Sequence, residues 1–272
     1  MITRYSSNFQ EIIVEKTDDD LRLTLAGDLQ FSSKEEHLYN EAMADYPMSI
    51  LKDRDDLSVL ILGGGDGLIA HELIQYRNIS SITLCELDPK MIEICSTDTD
   101  IVAYNGDIFH NPKVHVVYED AKSYLILRMN LTETYDLIIA DFPNPHIEVL
   151  SKLYSREFYA NIYTHLKEDG IFVAQVAEVH HTKKCFQCVG KTLSTIFPYV
   201  RGYARYMQYT MGNLGFVIGS KNDSIHAIIV EQSIELDGKD VEINTVENNI
   251  AYHYFDEETK TSGFIPGITN NA

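Results

Sequence analysis

Basic residues are scarce in this chain. Against 41 aspartates and glutamates stand 22 lysines and arginines among 272 residues, a formal net charge of −19 at pH 7. A field of that sign repels nucleic acid and anionic membranes and attracts cations, so small polycationic molecules fit it best. Cysteine is scarce too. Cys85, Cys95, Cys185 and Cys188 are too few and too scattered for a disulfide framework. The "CFQC" pair, Cys185 and Cys188, has the spacing of a redox or zinc pair, yet it falls inside a predicted helix with no second pair to complete four ligands, so structural thiols are expected. Long apolar runs are missing: none approaches the roughly 18 residues that span a bilayer. The start "MITRYSSNFQ" also lacks the apolar core of a signal peptide, so a cytoplasmic protein is expected. Nothing resembles a hydrolase triad, a phosphate-binding lysine loop or an internal repeat. His180 and His181 are adjacent and cannot both face one metal from a regular strand, and no metal site is expected.

What is present is a rhythm of short apolar runs and helical patterns. Residues 1 to 48 alternate apolar and polar in "QEIIVEKT" and "DLRLTLAGDLQF", which predicts a small N-terminal antiparallel β-domain. A capped linking helix follows in "SSKEEHLYNEAMADYPM" and is expected to end near Pro47. From residue 49 onward "LSVLIL", "SITLCEL", "VHVVY", "DLIIAD" and "GIFVAQVA" alternate with helix-like segments. That order predicts an α/β fold, a doubly wound parallel sheet of the Rossmann-like methyltransferase type over residues 49–272. "VRGYARYMQY" and "LGFVIGS" predict an antiparallel pair at the sheet edge, and the tail after Lys221 carries little readable pattern.

Ligands of such sheets bind beyond the carboxyl ends of the strands, where the strand order reverses. The first and fourth runs of the series end in the two most unusual loops of the chain, "GGGDG" and "DFPNP". Gly63, Gly64 and Gly65 let the backbone approach a ligand closely, and the following helix offers N–H groups. Glu86 ends the next strand about twenty residues on, where an acid accepts hydrogen bonds from ribose hydroxyls; the glycine turn before it favours that reading over a solvated strand-end acid before a helix cap. Asp120 suits either a helix cap or an adenine amine. Asp66 is the odd member of the glycine turn. S-adenosylmethionine carries an ammonium and a carboxylate on its tail, whereas the decarboxylated form carries the ammonium alone, so a carboxylate here favours the latter. A solvated turn aspartate is the alternative.

With these residues in place the sequence resembles the polyamine aminopropyltransferase (spermidine synthase) family. The likeness runs through "YSSNFQEIIV", "LQFSSKEEHLYNEA", "VLILGGGDG", "LCELD", "DFPNP", "KLYSREFYANI", "LKEDGIFVAQ" and "LGFVIGSK". The resemblance implies transfer of the aminopropyl group of decarboxylated S-adenosylmethionine, as co-substrate, to a polyamine acceptor. Putrescine giving spermidine is the leading case, with release of 5′-methylthioadenosine and no prosthetic group or metal. It implies that Gln10, the three glycines and Asp66 hold the donor, with Glu86 on its ribose and Asp120 on its adenine. It further implies catalytic roles for Asp141 and Tyr39, an amine channel lined by Tyr39, Tyr209 and Gln175, and a homodimer or homotetramer. Where the family loop reads D-[ST]-[ST]-D-P, this chain has Phe142, Pro143 and Asn144, so the charge expected to help hold the acceptor is lost at Asn144. The DxPxP form resembles a branch whose members often carry a membrane domain, which these residues do not contain. The competing readings are a methyltransferase using intact S-adenosylmethionine and a catalytically weak polyamine or nucleoside binder.

Overall fold

A computed structural model describes residues 1–129, 133–209 and 212–262. The chain opens with a four-stranded antiparallel meander, β1 (Ile2–Ser6), β2 (Glu11–Lys16), β3 (Leu21–Leu25) and β4 (Asp28–Ser32), ordered as in the sequence. Strand β1 escapes the sequence pattern because its five residues are all exposed or half-buried. One face of the meander buries Ile12, Val14, Leu21, Leu23 and Phe31 against Leu68, Met91, Ile94 and Ile101.

The linking helix departs from expectation. It begins at Glu36 without a side-chain cap, passes through a π-helical stretch over Glu41–Asp45 and continues over Tyr46–Leu51. Pro47 therefore does not end it. The widened turn, in which Tyr46 N–H donates to Glu41 O, places proline at the start of a new helical segment, where a missing N–H is tolerated. Ala42, Met43, Met48 and Leu51 are buried, and this apolar side holds the segment under the main sheet.

That sheet has eight strands: β5 (Leu57–Gly63), β6 (Ile79–Glu86), β7 (Val114–Tyr118), β8 (Tyr135–Asp141), β9 (Leu166–Glu178), β10 (Tyr199–Met207), β11 (Gly212–Ser220) and β12 (Gln232–Ile234). Their order is β12-β10-β11-β9-β8-β5-β6-β7, with β9 to β7 parallel and β11, β10 and β12 antiparallel. The order reverses between β5 and β8. Both are buried on two faces, with Leu60 and Leu62 in one core and Val59 and Ile61 in the other. Such strands read as unbroken apolar runs. The predicted β10–β11 pair forms, but β12, in the unread tail, lies outside it as the edge strand. The tail also supplies the helix Ile250–Ser262, whose Glu258 accepts from the N–H groups of Lys184 and Cys185, at 2.8 and 3.1 Å, at the start of the helix Lys183–Ser194. All four cysteines are free and buried.

At the amino ends of the central strands Asp136 ties three segments together. Its Oδ2 accepts from Ser58 N at 2.8 Å and from Lys167 Nζ at 2.7 Å, while Oδ1 accepts from Arg54. This knot clamps β5 against β8 and β9. Asp136→Ala should destabilise the protein by about 2 kcal/mol, less than for a fully buried pair because both cations can return to water. Thermal or urea unfolding checks it, and an unchanged midpoint would contradict the clamp.

Candidate functional site

The reversal between β5 and β8 opens a cleft at their carboxyl ends. Gly63 pairs with Asp141 across these strands. With φ of +84°, a Cβ on Gly63 would stand 2.2 Å from the Asp141 carbonyl oxygen, so only glycine permits this approach. Gly65 faces the second strand end: a Cβ there would meet Glu86 Oε2 at 2.6 Å. The turn thus draws Asp66, Glu86 and Asp141 to one floor.

The cleft has two chambers. The larger, about 400 Å³, is lined by Gln10, the three glycines, Asp66, Glu86, Asp120 and Asp141, with Phe9 and Ile147 on its apolar walls. The smaller, about 60 Å³, is lined by Glu35, Glu36, Tyr39, Asn40, Asn144 and Gln175, among others. Asp28, Gln30, Asp66, Asp141, Phe142 and Pro143 line both and mark where they meet. Among the described residues neither lining contains a lysine or an arginine.

Local hydrogen bonds hold each acid. Asp66 Oδ1 accepts from Leu68 N at 3.0 Å, which closes the turn onto its helix. Glu86 Oε1 accepts from Asp88 N at 2.8 Å, and Gln10 Nε2 reaches Asp88 Oδ2 at 3.5 Å. Asp120 caps the helix Ala121–Arg128 through Ser123 N at 2.9 Å, as the helix-cap reading expects, and it also lines the larger chamber. The Tyr39 hydroxyl donates to Asp141 Oδ1. Gln175 Nε2 donates to Asn144 Oδ1 at 2.7 Å.

Burial, without a cation to offset it, raises the acids. Asp66 is pushed up to about 6 and Glu86 to about 7, each chiefly by loss of water. Asp141 rises to about 7 through burial and then the neighbouring Asp66, against the lowering effect of the Tyr39 hydrogen bond. Tyr39 itself is raised well above its ordinary value by burial and by Asp141, so it stays protonated and donates.

Tyr209, expected in the amine channel, lines neither chamber. Its ring lies under the Lys34 ammonium at 5.2 Å, and its backbone N–H donates to Glu35 Oε1 at 2.9 Å. The strand β10 ends at Met207, and it is Met207 that lines the smaller chamber. Sequence reasoning missed Asp28, Gln30, Glu35 and Glu36. Asp28 and Gln30 stand two apart on β4 and so share a face, a signal that was available. His180 and His181 lie in a turn where both N–H groups donate to Glu178 Oε2. Among the described residues no group of three or more His, Cys, Asp or Glu is placed to hold a metal, and no helix is long and apolar enough to cross a membrane.

Comparison with known proteins adds a family and a fold. Residues 36–228 match the spermine/spermidine synthase domain. The chain is similar to a polyamine aminopropyltransferase of Oceanobacillus iheyensis, 33% identical over 217 residues that cover 80% of this chain and 41% of that protein. It thus spans less than half the length of that curated relative. The spermidine synthase of Thermotoga maritima superposes with a TM-score of 0.72 at 25% identity, covering 95% of this chain and 87% of that one. A spermidine synthase in complex with the transition-state analogue AdoDATO superposes with a TM-score of 0.71 at the same identity and coverage.

The raised acids fix the sign of a pH effect. The folded protein keeps protons that the unfolded chain, with carboxyls near 3.8 to 4.5, has already lost. Stability tied to these groups is therefore fully present below about pH 4 and declines as pH rises through about 6 to 7. Asp141→Asn, which still accepts from Tyr39, should gain about 5–15 °C in Tm on the wild type between about pH 4 and pH 8, from a carboxyl raised from 3.8 to about 7. A Tm difference that does not grow with pH would contradict this reading.

Proposed function

The chain belongs to the spermine/spermidine synthase family, and we propose that its double cleft moves the aminopropyl group of decarboxylated S-adenosylmethionine onto a polyamine, putrescine giving spermidine, with release of 5′-methylthioadenosine. One observation carries the reading. Two chambers of unequal size meet at Asp66 and Asp141, and their linings hold acids without a lysine or an arginine. Intact S-adenosylmethionine would bring a carboxylate into this field with no lysine or arginine to receive it, and the one histidine of the lining, His146, already faces Asp28. The decarboxylated donor brings only positive charge, which the floor attracts.

In this reading the larger chamber takes the nucleoside. Glu86 receives the ribose hydroxyls, Asp120 the adenine amine and Gln10 closes over the donor from the N-terminal sheet, while the glycines admit its sulfonium end. Asp66 faces the amine of the aminopropyl arm. The acceptor amine lies in the smaller chamber beside Tyr39 and Asp141, with Gln175 and Asn144 on its wall. We place the reaction in the cytoplasm, in keeping with four buried free thiols, and expect a homodimer or homotetramer.

The nitrogen lone pair attacks the methylene carbon next to sulfur. The C–N bond forms as the C–S bond breaks, its electron pair returns to sulfur, and the thioether leaves neutral. Holding the two atoms in line at about 3–3.5 Å supplies much of the acceleration. The acceptor must first lose a proton. An alkyl amine near 10.4 facing an ordinary aspartate near 3.9 stands about 6.5 units uphill, roughly 9 kcal/mol. With Asp141 at about 7 the gap narrows to about 3.4 units, or roughly 5 kcal/mol. A sulfonium close to the amine lowers the amine's pKa and narrows the gap again.

Incubation with decarboxylated donor and putrescine is expected to yield spermidine and 5′-methylthioadenosine. Formation of S-adenosylhomocysteine from intact donor would replace this reading with methyl transfer. Asp141→Asn should lower kcat by about 10²–10⁴ while the donor Kd moves far less. Equal losses in both would reduce Asp141 to a binding role.

A further inference from the structure

Charge in the smaller chamber has an uneven supply of hydrogen bonds. Asp28, Asp66 and Asp141 are shared with the larger chamber; beyond them stand Glu35, Glu36 and the amides of Asn144 and Gln175. The amides are joined at 2.7 Å and carry no charge. Glu35 is committed to the Tyr209 N–H. Glu36 differs: its Oε2 is buried and has no hydrogen-bond partner, and the closest cation-forming group, His37 Nδ1, stands 3.9 Å away on a mostly exposed ring. Loss of water raises this carboxyl above its ordinary range, against the lowering effect of the backbone N–H groups of His37 and Glu36 and of the His37 ring.

Placement supports a role for that oxygen. Glu36 and Tyr39 stand three apart in the helix Glu36–Asn40, so their side chains share a face with Cβ atoms about 5–6 Å apart. The Tyr39 hydroxyl is fixed on Asp141. One helical turn thus separates the reacting end of the chamber from a carboxylate with an unmet acceptor. A buried acceptor of this kind costs free energy until a donor reaches it, and an ammonium brings three donors and the opposite charge.

Resting on the aminopropyl-transfer reading above, we propose that Glu36 is the second anchor of the acceptor: it receives the far ammonium of an alkyl diamine whose near amine lies at Asp141. The chamber then discriminates diamines from monoamines, and discriminates among diamines by length, through a residue of the N-terminal helix rather than through Asn144.

The test measures kcat/KM with decarboxylated donor for putrescine and for butylamine, which lacks the far ammonium. In Glu36→Gln the putrescine-to-butylamine ratio should fall about tenfold, mainly through the KM of putrescine. An unchanged ratio with 5′-methylthioadenosine still released overturns the Glu36 assignment and leaves the transferase reading standing. No 5′-methylthioadenosine from the wild type with either amine overturns both. Glu36→Asp offers an independent arm, because it withdraws the carboxylate by one methylene. The five-carbon diamine should then gain on putrescine in kcat/KM, and a fixed ratio overturns the proposal.

Discussion

Like charges crowd the floor where β5 and β8 part. Asp66 raises both Asp141 and Glu86, and none of the three has a lysine or an arginine in the cleft lining to offset it. Such an arrangement opposes folding at neutral pH, so the rest of the molecule must hold it. The backbone does this through Gly63, whose missing Cβ lets the turn lie against the Asp141 carbonyl. The cores on both faces of the sheet do it by fixing the two strands, and Asp136 does it from their opposite ends.

The contrast between Asp136 and Asp141 shows how one strand carries two kinds of carboxylate. Asp136, at the start of β8, has Arg54, Lys167 and Ser58 around it; burial works against its ionised form, but the hydrogen bonds prevail and it sits below the ordinary range. Asp141, at the end of the same strand, has a tyrosine hydroxyl and another acid, and sits above it. The first is satisfied by the protein alone. The second lacks a countercharge, which is the condition under which a cationic ligand gains the most.

The inner strands β5, β8 and β9 were legible because strands buried on both faces are apolar almost without interruption, and the glycine turn and the loop after β8 mark the ends of two of them; β12 left no such run. Glu86, Asp120 and Asp141 follow from strand ends, whereas Gln10, between β1 and β2, came only from the family resemblance; all four line the larger chamber. The smaller chamber was less legible for a physical reason. Its acids come from β4 and from the helix Glu36–Asn40, where a run such as "SSKEEH" looks like an ordinary solvated helix start, and only packing against the sheet turns Glu36 inward. Tyr209 was placed in the amine channel by the family resemblance alone, and nothing in its own sequence context says which way its ring turns. Here it is the backbone of Tyr209 that serves the site, by holding Glu35, while the ring faces Lys34. The continuation past Pro47 depended on a π-helical turn, which leaves no mark in apolar periodicity.

Tyr39 clarifies what the crowding achieves. A tyrosine raised well above its ordinary value cannot take a proton from an amine, so its hydrogen bond to Asp141 does not relay charge; it orients. By occupying Oδ1 it leaves Oδ2 facing the glycine turn, where a Cβ on Gly64 would lie 3.4 Å from it. The same bond lowers Asp141 while burial and Asp66 raise it, and the balance falls at about 7. A lower value would make the carboxylate too weak a base for an amine, and a higher one would leave it protonated and unable to accept. The acid at the junction of the two chambers is thus held near neutrality by opposed local effects, with a fixed donor on one oxygen and the other beside the glycine turn.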